Sequence, residues 1–125
     1  MNWTAAGAIF MALAVGMGAF GAHALKERLD EYSLTVYEKA VFYHFVHALG
    51  ILLISLLGRA GIIGASAENR CGWLFAIGIL LFSGSLYALA LSGTRILGAI
   101  TPFGGIAFIV GWLLLAYEAA RASRG

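Results

Sequence analysis

Four long apolar stretches alternate with three short polar ones along the chain, over residues 3–25, 37–58, 71–92 and 102–121. At 1.5 Å per residue, a helix of about 20 residues crosses the roughly 30 Å of hydrocarbon in a bilayer. The pattern therefore predicts an all-α integral membrane protein. It is a four-transmembrane-helix bundle running up-down-up-down, with residues 1–125 forming a single membrane domain. An even number of spans puts both termini and the 59–70 loop on one side, here side A. Loops 26–36 and 93–101 lie on the opposite side B.

Local signals refine the ends. Asn2 is a suitable N-cap for the first helix, and Trp3 an interfacial anchor. Ala22-His23-Ala24 resembles a signal-peptidase site. With no basic n-region and an apolar stretch too long for a signal, a retained helix is expected. Thr35-Val-Tyr-Glu38 fits a capping box and predicts that the second helix starts near residue 36. Residues 59–70 are rich in small and charged residues and are expected to form a mobile loop. Thr101-Pro102 reads as N-cap and first position of the fourth helix.

Small residues at four-residue spacing allow close helix approach. Ala8, Ala12 and Gly16 form one such stripe and Gly18 with Ala22 a further pair; Gly84, Ala88 and Ser92 form another stripe, and Ala107 with Gly111 another pair. On the second helix Ala40, His44, His47, Ala48, Ile51 and Ser55 share a small or polar stripe. Phe42, Phe45, Leu49, Leu52, Leu53 and Leu56 spread over the rest. The stripe is expected to face protein and the remainder lipid.

Composition supports lipid as the solvent. The chain is 62% apolar and 11% charged, with mean hydropathy +0.92. A soluble domain of this size has too little interior to hide that surface. A net charge of +2 suggests no nucleic-acid partner. Cys71 is the single cysteine, which excludes an internal disulfide and a Cys-x-x-Cys site. Cationic residues do not orient the chain. Arg59, Arg70, Arg121 and Arg124 on side A balance Lys26, Arg28, Lys39 and Arg95 on side B. Cytoplasmic termini are taken as the working expectation.

Sorted by depth, His23, Tyr43, His44, His47, Ser85 and Tyr87 fall in the side-B half of the bilayer, together with Thr101. The three tryptophans fall towards side A. Ionisable groups at membrane depth face protein or water, so this candidate polar cluster admits three readings. The favoured one is a hydrogen-bond network pinning helices together in a non-enzymatic accessory or scaffold protein. Such a protein packs with itself or a membrane partner and holds lipid. The second is an oligomeric channel or transporter for a proton or small solute, because histidine titrates near neutrality. The third is a haem or metal site on His23, His44 and His47, since residues at i and i+3 can share a metal. No cysteine or carboxylate completes a familiar ligand set, so no cofactor is expected. No nucleophile–base arrangement or phosphate loop is present, and no enzymatic activity is expected.

Four segments carry a family resemblance. GAFGAHALKE (18–27), Tyr43-His44 with His47-Ala48-Leu49-Gly50, FSGSLYALAL (82–91) and ITPFGGIAFIVGW (100–112) resemble the domain-of-unknown-function 423 family. That family includes bacterial inner-membrane proteins and the eukaryotic transmembrane protein 256. The resemblance runs through all four segments in order and skips the 59–70 loop. It implies a polytopic protein of the bacterial inner or plasma membrane, with one domain, and it supplies no catalytic residues.

Overall fold

A computed structural model describes residues 1–122 of the chain. Four helices long and apolar enough to cross a membrane run over Trp3–Leu25, Glu31–Arg59, Ala65–Ser92 and Arg95–Ala122. The first span is α1 (Trp3–Phe20), extended by a π-helical turn at Gly21–Leu25. The second is a single helix, α2 (Glu31–Arg59). The third comprises α3 (Ala65–Gly78), a π-helical turn at Ile79–Ser83, and α4 (Gly84–Ser92). The fourth is a 3₁₀ turn at Arg95–Ala99 followed by α5 (Thr101–Ala122). Arg124, one of the side-A cations, lies outside the described residues.

Asn2 caps α1 as its sequence suggests, its side-chain oxygen accepting from the Ala5 amide at 3.0 Å. The start of α2 differs from the expected capping box. Asp30 is the cap, accepting from the Ser33 amide at 2.7 Å, and the helix begins at Glu31. Thr35 instead donates its hydroxyl to the Glu31 carbonyl one turn back, at 2.9 Å. Aspartate is the better cap, and Glu31 behind it favours the positive end of the helix dipole. The bond to Ser33 holds the Asp30 carboxyl below the usual carboxylate range. At 29 residues α2 is roughly 43 Å long, more than the roughly 30 Å of hydrocarbon. Its first nine residues, which include Glu31, Glu38 and Lys39, account for a surplus of that size.

The expected 59–70 loop is also mostly helix, because α3 begins at Ala65. Ile63 and Ala67 are buried, and Trp3 donates to the Asn69 side chain at 3.2 Å, so this connection is anchored to the bundle. Gly93 ends α4 in the left-handed conformation, φ +72°, with its amide on the Leu89 carbonyl. That conformation strains any residue with a Cβ. Thr101 is the first residue of α5, and its hydroxyl bonds Ser85 at 2.6 Å across to the third span.

The protein-facing stripe of α2 is as the pattern predicts. Ala40, His44, His47, Ala48, Ile51 and Ser55 are all buried, while Phe42, Leu49, Leu53 and Leu56 are exposed. The small-residue stripes are in a different phase from the one expected. Ala8, Ala12 and Gly16 are all exposed, and a Cβ on Gly16 would meet nothing within 4 Å. The buried face of the first span instead carries Trp3, Gly7, Ala14, Gly21 and Leu25. Gly7, Ala14 and Gly21 recur every seven residues, the period of left-handed helix packing rather than of the four-residue small-residue motif. On α5 the buried face is Gly104, Phe108, Gly111 and Leu115, again with two glycines seven apart. Of the other expected small residues, Gly111 is buried as predicted, Ala107 and Gly84 are half-buried, and Ala88 is exposed. Gly104 permits a close approach of one backbone to another, because a Cβ there would collide with the backbone nitrogen of Phe82.

Candidate functional site

The polar residues at depth resolve into three small groups. Two start from α2, where His44 and His47 are each 4% exposed. Three positions apart on a helix they lie about 60° apart round its axis. That angle is enough to send each ring towards a different neighbour.

His44 turns towards the third span. Its Nδ1 stands 2.9 Å from the Tyr87 hydroxyl. The Tyr87 ring is 5.2 Å from that of Tyr37, and the Tyr37 hydroxyl donates to the Met17 carbonyl of α1 at 2.5 Å. The Phe10 ring stands edge-on to the His44 imidazole at 6.3 Å. His44 Nε2 is buried and makes no hydrogen bond among the described residues. This group links α1, α2 and α4.

His47 turns towards α5. Its imidazole stacks flat on Phe108, with centroids 3.5 Å apart and planes 8° from parallel. Trp112 Nε1 stands 3.0 Å from His47 Nε2, and His47 Nδ1 is 2.9 Å from the Tyr43 carbonyl. These partners fix the tautomer. An indole N–H can only donate, so Nε2 must accept, and Nδ1 carries the hydrogen that goes to the carbonyl. His47 is therefore a neutral imidazole with both nitrogens engaged. The lone pair that a metal would need is already taken by Trp112.

The third group is Ser85 and Thr101. Ser85 also donates to the Phe82 carbonyl at 2.9 Å, a bond within its own helix. Ser83 behaves differently. It is fully buried, and its hydroxyl donates to the Ala40 carbonyl of α2 at 2.8 Å, joining the second and third spans.

His23 does not enter any of these groups. It is exposed, because the π turn Gly21–Leu25 meets its neighbours through Gly21 and Leu25. Lying two residues from each, His23 falls on the opposite side of the turn. The expected layer of three inward imidazoles is thus two, and those two point to separate interfaces. Among the described residues no three histidine, cysteine, aspartate or glutamate side chains come together as a metal set.

The expected interfacial position of the tryptophans holds for Trp73, which is exposed, but not for the other two. Trp3 is buried rather than at the lipid interface and stands edge-on to Trp73 at 5.4 Å. Trp112 lies near the middle of α5, where its N–H needs an acceptor, and His47 supplies it. Trp112 and Tyr37 are the members that sequence reasoning left out. Tyr37 could have been found, since it lies seven residues before His44 on the same stripe. The pairing of Trp112 with His47 has no counterpart in local sequence.

At the side-A end Glu118 is almost enclosed, its side chain 11% exposed. It pairs with Arg70 at 3.3 Å and Arg121 at 3.8 Å. An acid near the membrane edge is thereby neutralised without reaching deep into the bundle.

The family described as "Protein of unknown function (DUF423)" matches residues 17–105, which include both buried histidines and Tyr87. The chain is similar to the "UPF0382 membrane protein" of Staphylococcus epidermidis (strain ATCC 12228 / FDA PCI 1200), at 50% identity over 109 residues. That alignment covers 87% of each chain. It is also similar to the "UPF0382 membrane protein YwdK" of Bacillus subtilis (strain 168), at 45% identity over 115 residues, 92% of this chain and 93% of the relative. No solved structure matches.

Proposed function

This chain belongs to the DUF423 family of multi-pass membrane proteins, and from that premise we propose a non-enzymatic accessory or scaffold role, in which the outer helices pack against a second copy or another membrane protein. The observation that carries this reading is the inequality between spans. Only 17% of the apolar window of the first span is buried, and 28% of the fourth, against 44% and 50% for the second and third. The first span also turns Ala8, Ala12 and Gly16 outward, a face on which a further helix can approach closely. The deep polar groups favour the same reading, since His47, Ser83 and Ser85 are engaged in bonds that join or brace helices. Isolated groups of this kind do not form a continuous polar path.

The mass of the purified protein in detergent or lipid nanodiscs tests this. A dimer or a stoichiometric membrane partner is expected, and Gly16→Leu should shift the assembly towards monomer without changing helical content. A strict monomer from native membranes with no co-purifying protein would overturn the proposal. We further propose that both termini lie on the cytoplasmic side. A C-terminal reporter that is active only outside the cytoplasm would reverse that placement.

A further inference from the structure

A cavity of about 480 Å³ opens between α1 and the first half of α2. Gly18 and Ala22 form one wall and Val41, Phe42 and Phe45 the other, with the Tyr37 ring beneath Gly21. Exposed Ala22 and Phe42 make it a lateral groove open to the membrane. At Gly18 the two helices nearly meet, since a Cβ there would be in ordinary contact with Val41 and Phe45, at 3.5 and 3.7 Å; the open volume lies beside that contact, over Ala22 and Phe42. The volume lies within the usual range for a small-molecule site.

The rim of this apolar groove carries two opposite charges, Lys26 and Glu38. Both are exposed, and neither belongs to an ion pair among the described residues. From Glu38 inward to Phe45 the groove descends roughly 10 Å along α2, about two-thirds of the hydrocarbon of one leaflet. Its polarity therefore changes from charged to aromatic over the depth at which a phospholipid changes from headgroup to acyl chain.

The geometry points to this groove as a site for one membrane phospholipid with a primary-ammonium headgroup, of the phosphatidylethanolamine class, its acyl chain lying along Ala22, Phe42 and Phe45. Lys26 meets the phosphate and Glu38 accepts hydrogen bonds from the headgroup ammonium. A choline headgroup has no N–H to donate to Glu38, and a glycerol headgroup brings no cation to it, so a zwitterion with N–H donors complements the rim best. The groove is separate from the Ala8–Ala12–Gly16 stripe, since Gly18 lies about 200° round the helix from Gly16. Lipid binding and assembly can therefore fail independently.

The test uses the full chain, delipidated in mild detergent and titrated with dioleoyl phosphatidylethanolamine, phosphatidylcholine or phosphatidylglycerol. Bound lipid per chain is counted by native mass spectrometry. One phosphatidylethanolamine per chain is expected, retained about five- to tenfold better than phosphatidylcholine, the size of effect that one interfacial charge supplies. Glu38→Gln should erase that preference, Lys26→Gln should weaken retention of all three lipids, and Ala22→Leu should exclude lipid by filling the groove. Equal retention of the three lipids, an unchanged preference in Glu38→Gln, or lipid held by a folded Ala22→Leu variant would each overturn the site. A dimer that excludes lipid and separates in Ala22→Leu would assign the groove to a second copy and overturn it too. The rim variants are exposed and decide the question even where Ala22→Leu does not fold.

Discussion

His44 and His47 occupy the same stripe of the same helix and are buried to the same extent, yet their surroundings differ. His47 has a partner for each nitrogen and a phenyl ring stacked on its face. His44 has one well-formed hydrogen bond, and its other nitrogen has only the Phe10 backbone of α1 nearby, without good bonding geometry. Burial alone thus does not say what an imidazole contributes. The neighbouring helix does, through the donor it presents. Where α5 offers Trp112, the histidine becomes a joint between two spans. Where the third span offers only the Tyr87 hydroxyl, the histidine is held on one side.

Unfolding free energies in bicelles or mixed micelles can separate the two. The largest effect is expected for His47→Ala, a loss of about 2–4 kcal/mol. It opens a cavity against Phe108 and leaves the Trp112 N–H without an acceptor. Trp112→Phe should cost less, about 1–2 kcal/mol, since it keeps an aromatic ring but leaves His47 Nε2 unpaired. A loss as large as that of His47→Ala would mean that indole volume outweighs the bond. Tyr87→Phe is expected to cost about 1 kcal/mol, within the range measured for single interhelical hydrogen bonds in lipid. The smallest change is expected for the double variant His44→Phe, Tyr87→Phe, within about 0.5 kcal/mol of the parent. Replacing both partners by apolar rings also removes a buried nitrogen that makes no well-formed bond. If that variant were as damaging as His47→Ala, the contrast between the two sites would collapse.

Much of the architecture was legible in the chain. The four spans follow from apolar length, and the inward face of α2 follows from where its small and polar residues recur. The misreadings share a cause. Ala8, Ala12 and Gly16 are as small as Gly7, Ala14 and Gly21, and nothing local says which set will meet α2. The four-residue motif was counted, but the packing follows seven. Thr35 and Asp30 are both competent caps, and the earlier, stronger one prevails. Trp3 and Trp112 look like interfacial tryptophans by position, yet both N–H groups turn to protein, Trp3 to the exposed Asn69 and Trp112 to the buried His47. His23 is turned outward because Gly21 and Leu25 take up the packed face of its turn.

What the sequence by itself determined is the solvent, the number of spans, and the helix that carries its inner face to all the others. These depend on summed apolar surface and on periodicity, both local to a segment. Only the tertiary structure decided which small residues form the seams, which ring nitrogens find partners, and where a groove remains open to lipid. Those outcomes depend on the rotation of each helix against its neighbours. That rotation is set by glycines such as Gly104 meeting backbone a whole span away, and no single segment records it.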